Sequence, residues 1–392
     1  MMQITVSSIA RSALVLGLAS LMAAATLGTQ TAPPIAEKVI YSFAGGSDGA
    51  TPEAGLLRDS KGNLYGTTES GGVSSFGTVF AITSAGEKVV YAFTGGADGG
   101  NPQSTLVRDA QGHLYGVAFN GGAHGFGAVF EITGLGKEKV LYSFTGGADG
   151  SHPRGGLIRD ASGNLYGTTG AGGNFGSGTV FVVSPSGVET VLHHFNNADG
   201  AFPYAPMIAD ATGTMYGTTL GGGQHNIGTV FKVTQSGTLT SLYSFGSVQP
   251  DGFEPKTPVI VDAQGNLYGV TEGGGNFGYG IVFELTSAGA ETILYTFTGG
   301  ADGRYPDGGL LRDAKGNLYG TTSDGGNFTC APSCGVVYQV TPAAVENVLF
   351  SFTQTDGAAP FAGLIPDGKG GGYGTTSGGG AHNLGTVFRV GP

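Results

Sequence analysis

Residues 55–83 read GLLRDSKGNLYGTTESGGVSSFGTVFAIT, and most of the chain is this stretch written again. Its centre, Asn63-Leu64-Tyr65-Gly66-Thr67, returns with small edits around Tyr115, Tyr166, Tyr216, Tyr268, Tyr319 and Tyr373. Those tyrosines are 50, 51, 50, 52, 51 and 54 residues apart, a period that belongs to repeat architectures. Working outward, a strand pattern flanks each unit: EKVIYSF (37–43), KVVYAF (88–93), KVLYSF (139–144), TVLHHF (190–195), TSLYSF (240–245), TILYTF (292–297) and NVLFSF (347–352). Each is followed by a loop with Asp-Gly, at Asp48, Asp98, Asp149, Asp199, Asp251, Asp302 and Asp356, and then by a proline.

A unit therefore holds four short runs rich in Val, Ile, Leu, Tyr, Phe and Thr, bounded by Gly, Asp, Asn and Ser. No helical period appears after Ala36. In KVVYAF, Val89, Tyr91 and Phe93 alternate with Val90 and Ala92, so both faces are apolar and the strand reads as buried on both sides. Four-stranded units of this length, stacked face to face, are the blades of a β-propeller. The pattern is complete six times between Gly55 and Phe352, and a seventh unit, Gly363–Val390, lacks its last strand. The orphan strand at 37–43 supplies it. The reading is all-β: a seven-bladed propeller of four-stranded antiparallel blades, closed by the first strand pairing with the last unit.

The chain has 392 residues, of which 77 are glycine and only 11% are charged. The glycines recur at fixed places between apolar runs, so they read as turn and close-packing residues, not as low complexity. A formal net charge of −11 argues against a nucleic-acid surface, which wants a basic face. At the N-terminus, one positive charge in residues 1–11, an apolar run at 12–27 and Ala23-Ala24-Ala25 form the pattern of a secretory signal peptide. The expected division is a signal peptide at 1–25, a linker at 26–36 and a propeller at 37–392, secreted, periplasmic or held at the cell surface. No membrane span is expected after cleavage; the alternative is a retained anchor. Export makes a disulfide the natural state of Cys330 and Cys334, which closes one small loop.

The signature GLxRDxxGNLYGTTxxGGxxxxGTVFxIT, as it stands at 55–83, 156–183 and 309–341, resembles the bacterial tandem-repeat family called GloVer. That resemblance covers the whole chain after the signal region. Its extracytoplasmic members often carry C-terminal anchors, which this sequence does not show. Strand order and the D-x-x-G-N-L-Y hairpin are also similar to NHL and SMP-30-like propellers. The family implies no activity, so chemistry must come from the residues.

The aspartates of the D-x-x-G-N turns (Asp59, Asp109, Asp160, Asp210, Asp262, Asp313 and Asp367) read as structural, accepting backbone hydrogen bonds beside a glycine at positive φ. The Asp-Gly-x-x-Pro loops belong on the opposite face together with the glycine-rich loops. Their seven aspartates are expected around one mouth of the central channel, where carboxylates suit calcium; one carboxylate per loop also suits a repeated Asx-turn. The repeats disagree most at the x positions of Asp-Gly-x-x-Pro-x. Large side chains collect there in units three to six: His152, Arg154, Phe202, Tyr204, Phe253, Glu254, Lys256, Arg304, Tyr305 and Asp307. Together they predict a crescent that binds a glycan or an exposed protein segment. Glu254 and Asp307, on adjoining blades, form a candidate acid–base pair for a lactonase-like hydrolase or lyase. His124, His225 and His382 occupy matching loop sites in units that are not neighbours, and read as surface residues. The function expected first is a secreted binding module, followed by such an enzyme and then by a structural envelope protein.

Overall fold

The computed structural model describes residues 35–391 apart from 249, 327–329 and 331–333. The expected signal peptide and nearly all of the expected linker lie outside the described residues. Seven four-stranded antiparallel sheets follow one another. Blade 1 consists of Leu57–Arg58, Leu64–Thr68, Thr78–Thr83 and Gly86–Ala92, from innermost to outermost strand. Blades 2 to 6 repeat this order at 107–143, 158–194, 208–244, 260–296 and 311–351. Blade 7 takes three strands from 365–391 and its outermost strand from Ala36–Ser42, one residue earlier than the sequence implied. Ala36 pairs with Gly391 and Ser42 with Thr386, so the first and last strands of the described residues share one sheet. Among the described residues no helix is long and apolar enough to cross a membrane.

One aromatic contact is repeated at every blade junction. The residue after each outermost strand packs edge-on against the aromatic ring in the third strand of the next blade. The pairs are Phe43–Phe80, Phe93–Phe130, Phe144–Phe181, Phe195–Phe231, Phe245–Phe283, Phe297–Tyr338 and Phe352–Phe388, with centroids 5.0–5.3 Å apart. Edge-to-face pairs of this kind contribute about 1 kcal/mol beyond the area they bury. They also account for the glycine in the Leu-Tyr-Gly motif: a Cβ on Gly66 would lie 2.5 Å from Cζ of Phe80. The motif glycine is empty space reserved for the neighbouring ring.

The D-x-x-G-N turns behave as read. Asp59 accepts from the backbone N–H of Asn63, from its side-chain amide and from the hydroxyl of Tyr65, while Gly62 takes φ 86°. Burial opposes the charge of Asp59, but these hydrogen bonds outweigh it and hold the carboxyl below its ordinary value. Two expectations are corrected. The KVVYAF strand is the outermost of its blade and is only half-buried, whereas Thr78–Phe80 in the third strand is fully buried. Its double apolar face serves neighbours on both sides at the perimeter. The Asp-Gly aspartates do not ring the channel. Asp98 accepts from the hydroxyl of Tyr91, on the outermost strand, and from the N–H of Thr94, and Asp149 does the same with Tyr142 and Thr145. Strand-to-strand twist carries the end of the outermost strand away from the axis, and the aspartate caps it there.

In blade 3, His193 takes the place of that tyrosine, with Nε2 3.0 Å from Asp199. His124, His225 and His382 are exposed, as their positions implied. Cys330 and Cys334 form a disulfide in the glycine-rich loop of blade 6, with Cα atoms 5.8 Å apart. Both pack into the cluster between blades 6 and 7.

Candidate functional site at the channel mouth

The Asp-Gly-x-x-Pro-x loops and the glycine-rich loops share one face, joined by bridges such as Ala50↔Ser70 and Ala201↔Gly221. The residue before each proline adopts left-handed backbone: Thr51, Asn101, His152, Phe202, Glu254, Tyr305 and Ala359 have φ between 53° and 59°. Non-glycine residues reach this region at a cost of about 1–2 kcal/mol. A hydrogen bond to the preceding blade offsets it. The N–H of Thr51 donates to Leu384, that of Asn101 to Phe76, that of His152 to Phe126 and that of Glu254 to Ile227. The strained residue stitches two blades together, and every loop is thereby held in one conformation.

That conformation sends the residue after the proline to the axis. Glu53, Gln103, Arg154, Tyr204, Lys256, Asp307 and Phe361, one from each loop, line a single cavity of about 340 Å³ at the channel mouth. The following residue is anchored across the blade junction, as when Thr218 Oγ1 donates to the carbonyl of Thr257 at 3.0 Å and Thr375 Oγ1 to that of Ala54 at 3.0 Å. Rigid backbone therefore presents seven dissimilar side chains to one space.

The ring is knit by charge. Lys256 Nζ lies 2.8 Å from Asp307 and 2.9 Å from Glu272. Arg154 approaches Glu53 at 3.6 Å and stacks 5.4 Å above the ring of Tyr204. Tyr204 lies over Gly170, where any side chain would collide with it. Gln103 donates to Glu69 at 2.6 Å. Burial pushes the carboxyls of Asp307 and Glu53 up, and neighbouring cations oppose the shift. Burial alone would lower the Lys256 ammonium, but Asp307 and Glu272 outweigh it and raise it. The shifts of Asp307 and Lys256 pull the pair in opposite senses. A contact of 2.8 Å between opposite charges favours the ion pair.

The ten residues singled out from the sequence divide into two sets. Arg154, Tyr204, Lys256 and Asp307 line the cavity. The other six stand outside the mouth on the same face. His152 packs between Phe119 and Phe126, with centroids 5.0 and 6.1 Å away. Phe202 and Phe253 are exposed. Arg304 is paired with Asp324 at 2.6 Å and stacks on Tyr279 and Tyr305. Glu254 and Asp307 do not form the expected acid–base pair: Glu254 shares a hydrogen bond with Glu272, and Asp307 faces Lys256 and Ser323. Burial and then Glu272 hold the Glu254 carboxyl above its ordinary value. Among the described residues no three His, Cys, Asp or Glu side chains are grouped to hold a metal ion.

Glu53, Gln103 and Phe361 complete the ring although the crescent left them out. Glu69 and Glu272, directly after the second strand, were missed. Their signal was present: the position after the Thr-Thr of the motif reads Glu69, Phe119, Gly170, Leu220, Glu272, Ser323 and Ser377, variable beside a constant strand.

Fold and site together define a seven-bladed propeller with a variable polar ring at one mouth of its channel. The chain belongs to the Gloeobacter/Verrucomicrobia repeat family, whose pattern matches residues 26–211 and 187–388. No curated protein matches the sequence. Among solved structures it is similar to the extracellular domain of a proposed one-component system from B. thetaiotaomicron, at 11% identity and a TM-score of 0.57. The match covers 89% of this chain but 40% of that one, so the chain spans less than half its length. A proposed 6-phosphogluconolactonase from Bacteroides uniformis matches at 13% identity and a TM-score of 0.49, covering 76% of this chain and 83% of that one. A proposed gluconolactonase matches at 13% identity and a TM-score of 0.43, covering 91% and 92%. These likenesses concern the fold.

Proposed function

We propose that this protein is an exported binding module that takes its ligand at the channel mouth, among Glu53, Gln103, Arg154, Tyr204, Lys256, Asp307 and Phe361. One observation carries the reading. Prolines and anchored backbone fix seven loops alike, and the one side chain each loop aims at the cavity differs in every blade. A fold that needed only stability would repeat that residue as it repeats its neighbours. The outer set, exposed Phe202 and Phe253 with half-buried Arg304 and Tyr305, would extend contact with a larger ligand such as a glycan chain or a protein segment. Residues 1–25 supply the export signal, and an extracellular domain among the fold neighbours agrees with it.

The test is ligand screening on the purified chain by calorimetry and glycan array, repeated with an Arg154→Ala/Tyr204→Ala variant. Binding should weaken at least tenfold with the melting temperature unchanged. A ligand that binds both proteins equally would refute the site.

A further inference from the structure

This inference rests on the channel mouth being the binding site and concerns the chemistry of what enters it. The charges of the seven loop residues are sorted, not mixed, while Glu272, outside these loops, adds a second acid to Lys256 at 2.9 Å. Arg154, Tyr204 and Lys256 come from consecutive loops, entering blades 3, 4 and 5. Asp307, Phe361 and Glu53 come from the next three, entering blades 6, 7 and 1. One arc is therefore cation–aromatic–cation and the other acid–aromatic–acid, with neutral Gln103 between Glu53 and Arg154.

The arcs now satisfy each other where they meet. Lys256 touches Asp307 at one junction, at 2.8 Å, and Arg154 approaches Glu53 across Gln103 at the other, at 3.6 Å. An anion that took Lys256 would strand Asp307, whose side chain is only 3% exposed, without its counter-charge, which is strongly unfavourable, and a cation that took Asp307 would leave Lys256 with Glu272 alone, at 2.9 Å. A neutral sugar would leave both pairs closed and use only the aromatic rings. A ligand carrying one charge of each sign exchanges both pairs at once, and no charge is left alone.

We propose that the mouth recognises a zwitterion with an apolar body, a free α-amino acid or a short peptide. Arg154 and Lys256 receive its carboxylate, and Glu53 and Asp307 receive its ammonium. Tyr204 and Phe361, on opposite sides of the ring, hold the side chain between them. The cavity of about 340 Å³ suits a ligand of this size.

The experiment is calorimetric titration of the full chain with L-phenylalanine, L-leucine, glycyl-L-phenylalanine, neutral N-acetyl-L-phenylalaninamide and maltohexaose. At least one zwitterion should bind tenfold or more tightly than the neutral amide. Arg154→Gln and Glu53→Gln should each weaken it about tenfold, and Tyr204→Phe, which keeps the ring, should not. Equal binding of the amide, or no binding by any zwitterion, overturns the inference. Maltohexaose bound and then lost in Tyr204→Ala overturns it but leaves the mouth as the site. Binding that none of these substitutions alters overturns the site as well.

Discussion

Nζ of Lys256, on the loop entering blade 5, lies 2.8 Å from Oδ1 of Asp307, on the loop entering blade 6, and the Asp307 side chain is only 3% exposed. The lysine links two blades and neutralises an acid that water hardly reaches. Removing one partner of such a pair leaves the other charge stranded. Lys256→Met should cost about 3 kcal/mol of stability. Lys256→Met with Asp307→Leu should recover much of that loss, because no charge is then buried alone. Urea denaturation of the two single variants and the double completes the cycle, and strictly additive losses would show that the two side chains are not coupled.

A second prediction concerns pH. Glu37, Glu87, Glu138, Glu189, Glu291 and Glu346 each stand at or near the start of an outermost strand, with Oε1 buried and without a partner. Burial first, and then an Asp-Gly aspartate (Asp356, Asp48, Asp98, Asp149, Asp251 and Asp302 respectively), pushes each from 4.5 up to about 7. The folded protein therefore holds these protons more tightly than the unfolded chain. Their contribution is fully present below about pH 4.5 and is lost as pH rises to about 7. Turn aspartates such as Asp59 and Asp160, whose carboxyls are held low, lose their contribution only at more acidic pH. The melting temperature should be higher at pH 5 than at pH 8. Glutamine at all six positions should flatten the difference, and a profile that rises toward pH 8 would contradict the assignment.

Blade 7 departs from the repeat where Gly372 replaces the buried leucine found at Leu64, Leu114, Leu165, Leu267 and Leu318. A cavity of about 280 Å³ lined by Leu311, Tyr319, Leu364 and Val390 opens beside it. A Cβ on Gly372 would sit 3.1 Å from Cβ of Leu364, close enough to require a small shift. Gly372→Leu should fill the space and stabilise the protein by about 1–2 kcal/mol. Differential scanning calorimetry measures it, and a lower transition would mean that the neighbouring leucine cannot yield.

The closing strand gives a fourth. Without Ala36–Ser42 the strand Thr386–Gly391 becomes an unpaired edge, and such edges recruit other chains. Deletion of residues 1–42 should give a protein that self-associates in light scattering, and a synthetic 36–42 peptide should return it to monomer. A truncated chain that stays monomeric and melts unchanged would show that closure contributes nothing.

The fold was open to reading because each repeat states its strands and turns again, and a missing strand at one end matched a spare strand at the other. The site was only partly open. Variation within Asp-Gly-x-x-Pro-x marked the right loops, but the three x positions look alike in sequence. Left-handed backbone at Phe202 or Tyr305 decides that the residue before the proline turns to its neighbour while Tyr204 or Asp307 faces the axis. The aspartates were misplaced because a loop between blades starts at the perimeter and ends at the axis, and Asp98 belongs to its first half. Glu69 and Glu272 escaped because their partners, Gln103 and Lys256, lie in another part of the chain.

Ala36 pairs with Gly391, so the first strand of the ring waits for the last. A ribosome delivers that partner only after the six complete blades have been made. Until then six blades can stack on one another in order of emergence, but the circle stays open and its opening segment has nowhere to dock. The ring thus carries its own check: a chain cut short before Thr386 leaves Ala36–Ser42 without its partner strand, and only one that reaches Gly391 can pair it fully.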